Sequence, residues 1–236
     1  MKYLLNYAHG SHHQAQDLNT RSGLEFGFDK VIDCNYSEIE DEFLRKYIHI
    51  LKSKRGAGYW LWKPYLILKF LKRLKVGDYL FYSDSGALFI HEIEPLIALN
   101  EDIVLFHHAD PNFNKAELVW TKRDAFILMD CDTPEFSATY QLNATFQMYK
   151  VCQSSIDFVT QYLEYCQDER IITDQPNVMG KDDYVGFKDH RHDQSVLSLL
   201  AKKWGLPTFR DPSQFGNTCI QEGEYPQLIN HTRNHK

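Results

Sequence analysis

The sequence predicts an α/β fold of three layers around a mixed, mostly parallel central sheet, and three observations carry that prediction. Apolar runs of strand length alternate with stretches of helical period along most of the 236 residues, the pattern of a sheet covered by helices on both faces. One run, Asp78 to Ser83, is apolar or aromatic at nearly every position, as a central strand buried on both sides must be. No internal repeat or Pro/Gly/Ser-rich linker divides the chain, so residues 1–236 read as a single domain, long enough for a sizeable core.

The first strand is expected over Lys2 to Ala8, running into a polar loop, His9 to Thr20, the place where open α/β sheets hold ligand-binding loops. A short second strand fits Val31 to Asp33. Ser37 followed by Glu40 has the spacing of a capping box, and Phe43, Leu44, Tyr47, Ile48 and Leu51 then repeat at helical intervals, predicting a helix that ends near Lys54,. Arg55-Gly56-Ala57-Gly58 is a glycine-rich turn before the aromatic cluster Tyr59-Trp60-Leu61-Trp62, and Pro64 suits the first turn of a helix continuing to Gly77,. After the central strand, Asp84-Ser85-Gly86 forms a turn. His91 to Leu99 is expected to be helical, Ile103 to His107 a strand, Thr121 to Met129 amphipathic and of either type, Asn143 to Val151 a strand, and Ser154 to Gln167 a helix with Ile156, Val159, Tyr162, Leu163 and Cys166 on one face,. His192 to Ser195 opens the last helix, Val196 to Trp204, which Gly205 and Pro207 stop; beyond Phe209 a polar tail wraps the surface,.

Composition narrows the function classes. A net charge of -6 gives no electrostatic reason for a nucleic-acid partner,. The aromatic content of 14% suits stacking against sugars or bases as well as an aromatic core,. Cys34, Cys131, Cys152, Cys166 and Cys219 are odd in number and contain no C-x-x-C pair, so neither a disulfide framework nor a zinc knuckle is indicated, and a reducing cytoplasm is the expected compartment. No window approaches the roughly 20 apolar residues of a membrane span, which limits membrane contact to peripheral association at a cytoplasmic face.

Three segments carry candidate chemistry. Asp84, at the end of a buried strand and followed by small residues, can meet a hard cation and a ligand's phosphates, although Asp and Gly also make plain turns. Arg55 to Tyr65 offers Arg55 and Lys63 as phosphate ligands, glycines for close backbone approach, and Tyr59, Trp60 and Trp62 as stacking faces, with an aromatic anchor on the sheet as the alternative, favoured for Trp60,. His190-Arg191-His192-Asp193-Gln194-Ser195 gathers acidic, amide and imidazole groups at a helix start, where Asp193 or His192 could equally be a cap,.

Taken in order, Gly58-Tyr59-Trp60-Leu61-Trp62-Lys63-Pro64, Gly77 to Gly86, Thr121-Lys122-Arg123-Asp124 and His190 to Ser195 resemble the GT-A glycosyltransferases, particularly small bacterial and viral polysaccharide-synthesis enzymes with a G-Y-W-x-W-K-P motif. A looser likeness to glycogenin-like retaining transferases matches their D-x-D, N-A-G and D-Q elements to Asp84-Ser85-Gly86, Asn143-Ala144-Thr145 and Asp193-Gln194. The resemblance implies a GT-A, Rossmann-like sandwich that uses a nucleotide-diphosphate sugar, UDP-linked by preference, a divalent cation (Mn2+ or Mg2+), and a glycan or glycolipid acceptor in surface polysaccharide or glycoconjugate synthesis. By it, Asp193 and Gln194 are catalytic; Asn6, Tyr7, Ala8, Arg55, Tyr59, Trp62, Lys63, Ser83, Asp84, Ser85, Asn143 and His192 bind the donor; and Asp84 with His231 holds the metal. The chain departs from the pattern at Gly86, where D-x-D has its second aspartate. That departure keeps two rivals in view, a metal-dependent hydrolase and a non-catalytic sugar-nucleotide-binding protein of the same fold. Donor sugar, acceptor, stereochemical outcome and oligomeric state stay open at the level of sequence.

Overall fold

The computed structural model describes residues 1–108, 116–214 and 225–231. Its first strand, β1 (Lys2–Tyr7), ends in consecutive buried residues and leads into a 3-10 turn, Gly10–His12, and then α1 (His13–Glu25). Here the expected polar loop is a helix. Its inward face is Gln16, Asn19, Ser22 and Gly23, while Leu18 and Leu24 are exposed, so the apolar repeat that signals an amphipathic helix is missing. Hydrogen bonds replace it: Gln16 Nε2 donates to Asn6 Oδ1 at 2.8 Å and to the Cys34 carbonyl at 2.9 Å, Asn6 Nδ2 to Asn19 Oδ1 at 2.9 Å, and Asn19 Nδ2 to the Ala87 carbonyl at 2.9 Å. A fully paired polar seam of this kind can stand in for apolar packing.

After β2 (Lys30–Cys34) the predicted capping box does not form. The Asn35 side chain accepts from Ser37 N–H at 2.8 Å and closes a 3-10 turn, Tyr36–Glu38, so α2 (Asp41–Leu51) begins later, with Glu40 at its N-cap; a local Asx bond has taken the donor that a cap would use. The glycine-rich segment forms α3 (Gly56–Tyr59), and Pro64 lies in the first turn of α4 (Trp62–Leu71). That helix stops short of Gly77 because Asp78 draws the chain into a turn, accepting from Lys75 N–H at 3.2 Å and from the terminal amine at 2.7 Å. The remaining elements are β3 (Tyr79–Ser83), β4 (Ala87–Phe89), α5 (Glu94–Ile97), β5 (Ile103–His107), α6 (Glu117–Trp120), α7 (Arg123–Leu128), α8 (Pro134–Ser137), β6 (Leu142–Lys150), α9 (Gln153–Cys166), α10 (Glu169–Ile172), α11 (Asp193–Lys203), β7 (Thr208–Arg210) and β8 (Ile229–His231). The amphipathic stretch at Thr121 to Met129 is therefore helical in part, His91 to Leu99 shrinks to the single turn α5, and the tail expected beyond Phe209 contributes the end of β7 and the short strand β8. Much of that tail, Cys219 included, lies outside the described residues.

The main sheet has the order β2-β1-β3-β6-β5-β7, with β6 antiparallel to both neighbours and the other pairs parallel. Strand alternation divides its side chains between two cores. Leu5, Leu80, Tyr82 and Tyr149 pack with α4, α9 and α11 on one face, and Leu4, Phe81, Phe106 and Met148 with Phe28, Phe89 and Leu228 on the other, which makes the three layers. On that second face β4 and β8 pair as a separate antiparallel ribbon, with Ala87 opposite His231. Among the described residues no helix is long and apolar enough to cross a membrane.

The candidate active site

The parallel strands deliver their carboxyl ends, and antiparallel β6 its amino end, to one edge of the sheet, where a cavity of about 340 Å³ opens. It is lined by Arg55, Trp60, Lys63, Asp84, His108, Asn143, Ala144, Thr145, Arg191, His192, Asp193, Gln194 and His231. A β-bulge shapes its floor. The β5–β6 register jumps from Leu105 opposite Gln147 to Phe106 opposite Asn143, and the extra residues turn the Ala144 carbonyl toward Lys63 Nζ, 3.2 Å away. Bulges re-aim backbone groups next to sites in this way.

Lys63 is the charged centre. It is 3% exposed, and its ammonium lies 2.8 Å from Asp193 Oδ2 and 3.5 Å from Asp84 Oδ1. Burial works against its charge, but the two carboxylates outweigh burial and raise its pKa. For Asp193 burial dominates and pushes the carboxyl up, against the pull of Lys63. Tyr162 OH donates to the same Asp193 Oδ2 at 3.2 Å, and Tyr82 OH to Asp84 Oδ1 at 2.7 Å. Both phenols are buried and held protonated, by desolvation first and by the adjacent carboxylates second. Asp193 thus spends one oxygen on its supports and keeps Oδ1 for the cavity. In this state Lys63 aims its hydrogens at Asp193, Ala144 and Asp84, so it orients the carboxylates.

The approach to this cluster is built from strained backbone. Gly56, Ala57, Gly58, Tyr59 and Trp60 have φ of 56°, 50°, 103°, 52° and 59°, and Tyr59 N–H and Trp60 N–H donate to the Arg55 and Gly56 carbonyls at 2.8 and 3.2 Å. This is a turn of left-handed helix, which costs an L-residue with a side chain about 1–2 kcal/mol. Gly56 is required because a Cβ there would fall 2.2 Å from the Trp60 ring, and Gly58 because its Cβ would lie 2.7 Å from the Leu51 Cα. The turn swings Trp60 into the cavity wall and lets Trp62 stack on Tyr7 at 3.8 Å while donating to the Gly56 carbonyl.

Against this turn sits a second strained residue. His192, with φ 51° and ψ −118°, is the first corner of a tight turn closed by Gln194 N–H to the Arg191 carbonyl at 2.9 Å, a geometry of type II′ that ordinarily takes glycine. It starts α11 at Asp193 and aims that carboxylate at Lys63. The His192 ring packs on Tyr59 and Trp60 with centroids 4.9 and 5.5 Å away. Its Nδ1 faces the Ile172 carbonyl at 2.7 Å and so carries the proton, and Nε2 has no hydrogen-bond partner among the described residues. Burial lowers its pKa to about 4 and holds that of His190 well below its ordinary value. Arg55 is paired with Asp174 and Asp189 at 3.2 and 2.6 Å. Arg191 lies over the Trp120 ring at 4.5 Å.

The two residues proposed for a metal share the cavity. Ser213 Oγ donates to Asp211 Oδ1 at 2.6 Å and contacts His231 Nε2 at 2.9 Å, while Asn143 Nδ2 donates to Asp211 Oδ2 at 2.8 Å. With the serine hydrogen on Asp211, the His231 tautomer protonated on Nε2 satisfies the contact and places the ring's lone pair on Nδ1,. Among the described residues no group of three or more His, Cys, Asp or Glu is placed to hold a metal. The donor set fits a hard cation that draws most of its ligands from a diphosphate and water.

Of the residues singled out in the sequence, Arg55, Lys63, Asp84, Asn143, His192, Asp193, Gln194 and His231 line the cavity together. Tyr59, Trp62, Ser83 and Ser85 are not among the lining residues, and Asn6, Tyr7 and Ala8 are buried, with Asn6 in the α1 seam. Trp60, read as a stacking face or an anchor, lines the cavity, and so do Ala144, Thr145 and Arg191, which stand within the motifs without an assigned role, and His108, which sequence reasoning passed over. Arg191 could have been found beside Asp193, whereas His108 is placed by the end of β5.

No protein-family model matches the chain, and no curated protein sequence does. Among solved structures it is similar to mouse xyloside xylosyltransferase 1, at 11% identity and a TM-score of 0.53 over 99% of this chain and 98% of that one. It is likewise similar to a glycosyltransferase involved in the glycosylation of the major capsid of PBCV-1, at 8% identity and a TM-score of 0.51 over 100% and 94%. At these identities the likeness is one of fold, and the fold is the mixed, mostly parallel GT-A sandwich.

Proposed function

We propose that this protein is a glycosyltransferase that moves a sugar from a nucleotide-diphosphate sugar, UDP-linked, to a hydroxyl of a glycan or glycolipid acceptor in surface polysaccharide or glycoconjugate synthesis. The observation that carries the reading is the Lys63–Asp193–Asp84 cluster at the carboxyl edge of a GT-A sheet. A carboxylate braced from behind by an ammonium and a phenol, with Oδ1 toward the cavity, suits contact with sugar hydroxyls and with positive charge growing on the sugar ring as its bond to the leaving group stretches. Arg191 at the mouth suits the anionic end of the donor. A divalent cation between Asp84 and His231 would neutralise charge on the departing diphosphate; Lys63 holds Asp84 in place for it.

The test is release of UDP, and transfer of sugar to added glycans, by the purified protein with a panel of UDP-sugars in manganese. Asp193→Asn is expected to lower kcat by about 100-fold or more with a smaller change in KM, the mark of a group that acts in the transition state. Asp84→Asn and His231→Ala are each expected to abolish the stimulation by manganese; stimulation unchanged in both would remove the metal assignment. Tight UDP-sugar binding without turnover in the native protein would favour a non-catalytic binding protein.

A further inference from the structure

Gln194 lines the cavity beside Asp193, and a chain of buried polar groups holds its amide from behind. At the root is Glu117, fully buried at the start of α6. Its Oε1 accepts from Thr121 Oγ1 at 2.8 Å and from Gln141 Nε2 at 3.1 Å; its Oε2 accepts from Ser198 Oγ at 2.7 Å and from Lys202. A carboxylate can only accept, so Gln141 must turn its NH2 toward Glu117 and its carbonyl oxygen the other way. That oxygen accepts from Gln194 Nε2 at 2.8 Å. The polarity passes on: the second N–H of Gln194 is directed at His108 Nε2, 3.3 Å away, and Gln194 Oε1 accepts from Ala144 N–H at 3.4 Å. Both amide hydrogens are thereby engaged, and the capacity left among the described residues is the second lone pair of Oε1.

We propose that Glu117 and Gln141 are positioning residues that lock the Gln194 amide so that only its oxygen serves the cavity, which makes Gln194 select a hydroxyl of the bound sugar over a phosphate oxygen. This rests on the sugar-transfer reading above. A lone glutamine amide can present either end to a ligand. Here the acceptor-only carboxylate two links back removes that choice, since turning Gln141 would set its NH2 against that of Gln194, and turning Gln194 would set its oxygen against the Gln141 oxygen and its NH2 against the Ala144 N–H. A hydroxyl can donate to the exposed oxygen, whereas an ionised phosphate oxygen has no hydrogen to give and is repelled by it.

The experiment compares Gln141→Leu, Gln194→Leu and the double variant by UDP release from UDP-glucose, UDP-galactose and UDP-xylose in manganese. It follows the Gln194 side-chain NH2 signals in 15N-labelled full-length protein, assigned by their loss in Gln194→Leu. Gln141→Leu should lower kcat about tenfold with KM for the UDP-sugar changed less than about threefold, and should add nothing further in the Gln194→Leu background, because residues acting through one group are non-additive. Independent, multiplying losses would overturn the proposal. The exchange Glu117→Gln with Gln141→Glu moves the carboxylate one link along the chain and keeps its polarity, so it should recover most of the rate lost in Gln141→Leu; failure of the folded double variant to do so also counts against the chain. If the native protein releases no UDP from any donor, the transfer reading fails by itself, and the NMR arm still decides: Gln194 NH2 protons that exchange faster in Gln141→Leu support the lock, and unchanged signals refute it.

Discussion

His192 combines a backbone geometry that suits glycine with a ring that burial keeps neutral, and both properties have measurable consequences. Its pKa, held at about 4 by burial, is below the value of an unfolded histidine, so the unfolded chain takes up a proton first as pH falls. The stability that depends on a neutral ring is complete above about pH 6.5 and declines toward pH 4, by up to about 3 kcal/mol from this residue. His190 adds in the same direction. Urea midpoints measured between about pH 7 and 4.5 should fall more steeply for the native protein than for His192→Asn, since asparagine tolerates positive φ and carries no titrating ring. Parallel curves would mean that the ring is protonated in the fold. Asp132 acts in the same sense as His192 but at lower pH: Lys181, Arg123 and Tyr184 overcome burial and hold it at about 2. Its contribution is present above about pH 4 and is lost toward pH 2, of order 1 kcal/mol after allowance for solvent screening. Residues such as Asp84, Asp193 and His231 were legible in the sequence as types in a familiar order. Which oxygen or ring nitrogen each turns to the cavity was not, because that is decided by Tyr82, Tyr162 and Ser213, partners far apart in the chain or unmarked by any pattern.

Among the elements, the left-handed turn at Gly56 to Trp60 inverts a familiar substitution rule. In a right-handed helix Ala→Gly costs about 1 kcal/mol. At Ala57, where φ is 50°, Ala57→Gly removes a steric cost of about 1–2 kcal/mol and adds a smaller unfolded-state cost, so its urea midpoint should equal or exceed that of the native chain; a loss of about 1 kcal/mol would refute the handedness. Gly56→Ala should be destabilising and should change Trp60 fluorescence, because the added methyl meets the indole ring. Glycines 56 and 58 advertised a turn, but the positive angles at the three non-glycine residues Ala57, Tyr59 and Trp60 have no signal in residue type. The helix α1 escaped notice for a related reason: its buried face is amide, hydroxyl and glycine, and hydrophobic periodicity has nothing to register there. The central strand and α9 were plain because burial on them is mainly apolar or aromatic, with Ser83 and Ser155 the buried exceptions.

At the scale of the whole molecule, sequence order and strand alternation were enough to foresee the layers of the sheet, since those follow from which runs are apolar. The two-stranded ribbon of β4 and β8 was not, as three-residue strands carry no periodicity. That ribbon governs more than shape. His231 reaches the cavity only as the strand partner of Ala87, across most of the length of the chain, whereas β1 and β3 are brought together by a shorter loop. Closing the longer loop costs more chain entropy and brings its reward later. In pulsed hydrogen exchange during refolding, the amides of β1 and β3 should therefore gain protection before those of β4 and β8, and simultaneous protection would contradict this order. The consequence is one of timing: a newly made chain passes through a stage with its central sheet assembled and one wall of its cavity missing, and it becomes competent to close around a ligand only when that last seam is drawn shut.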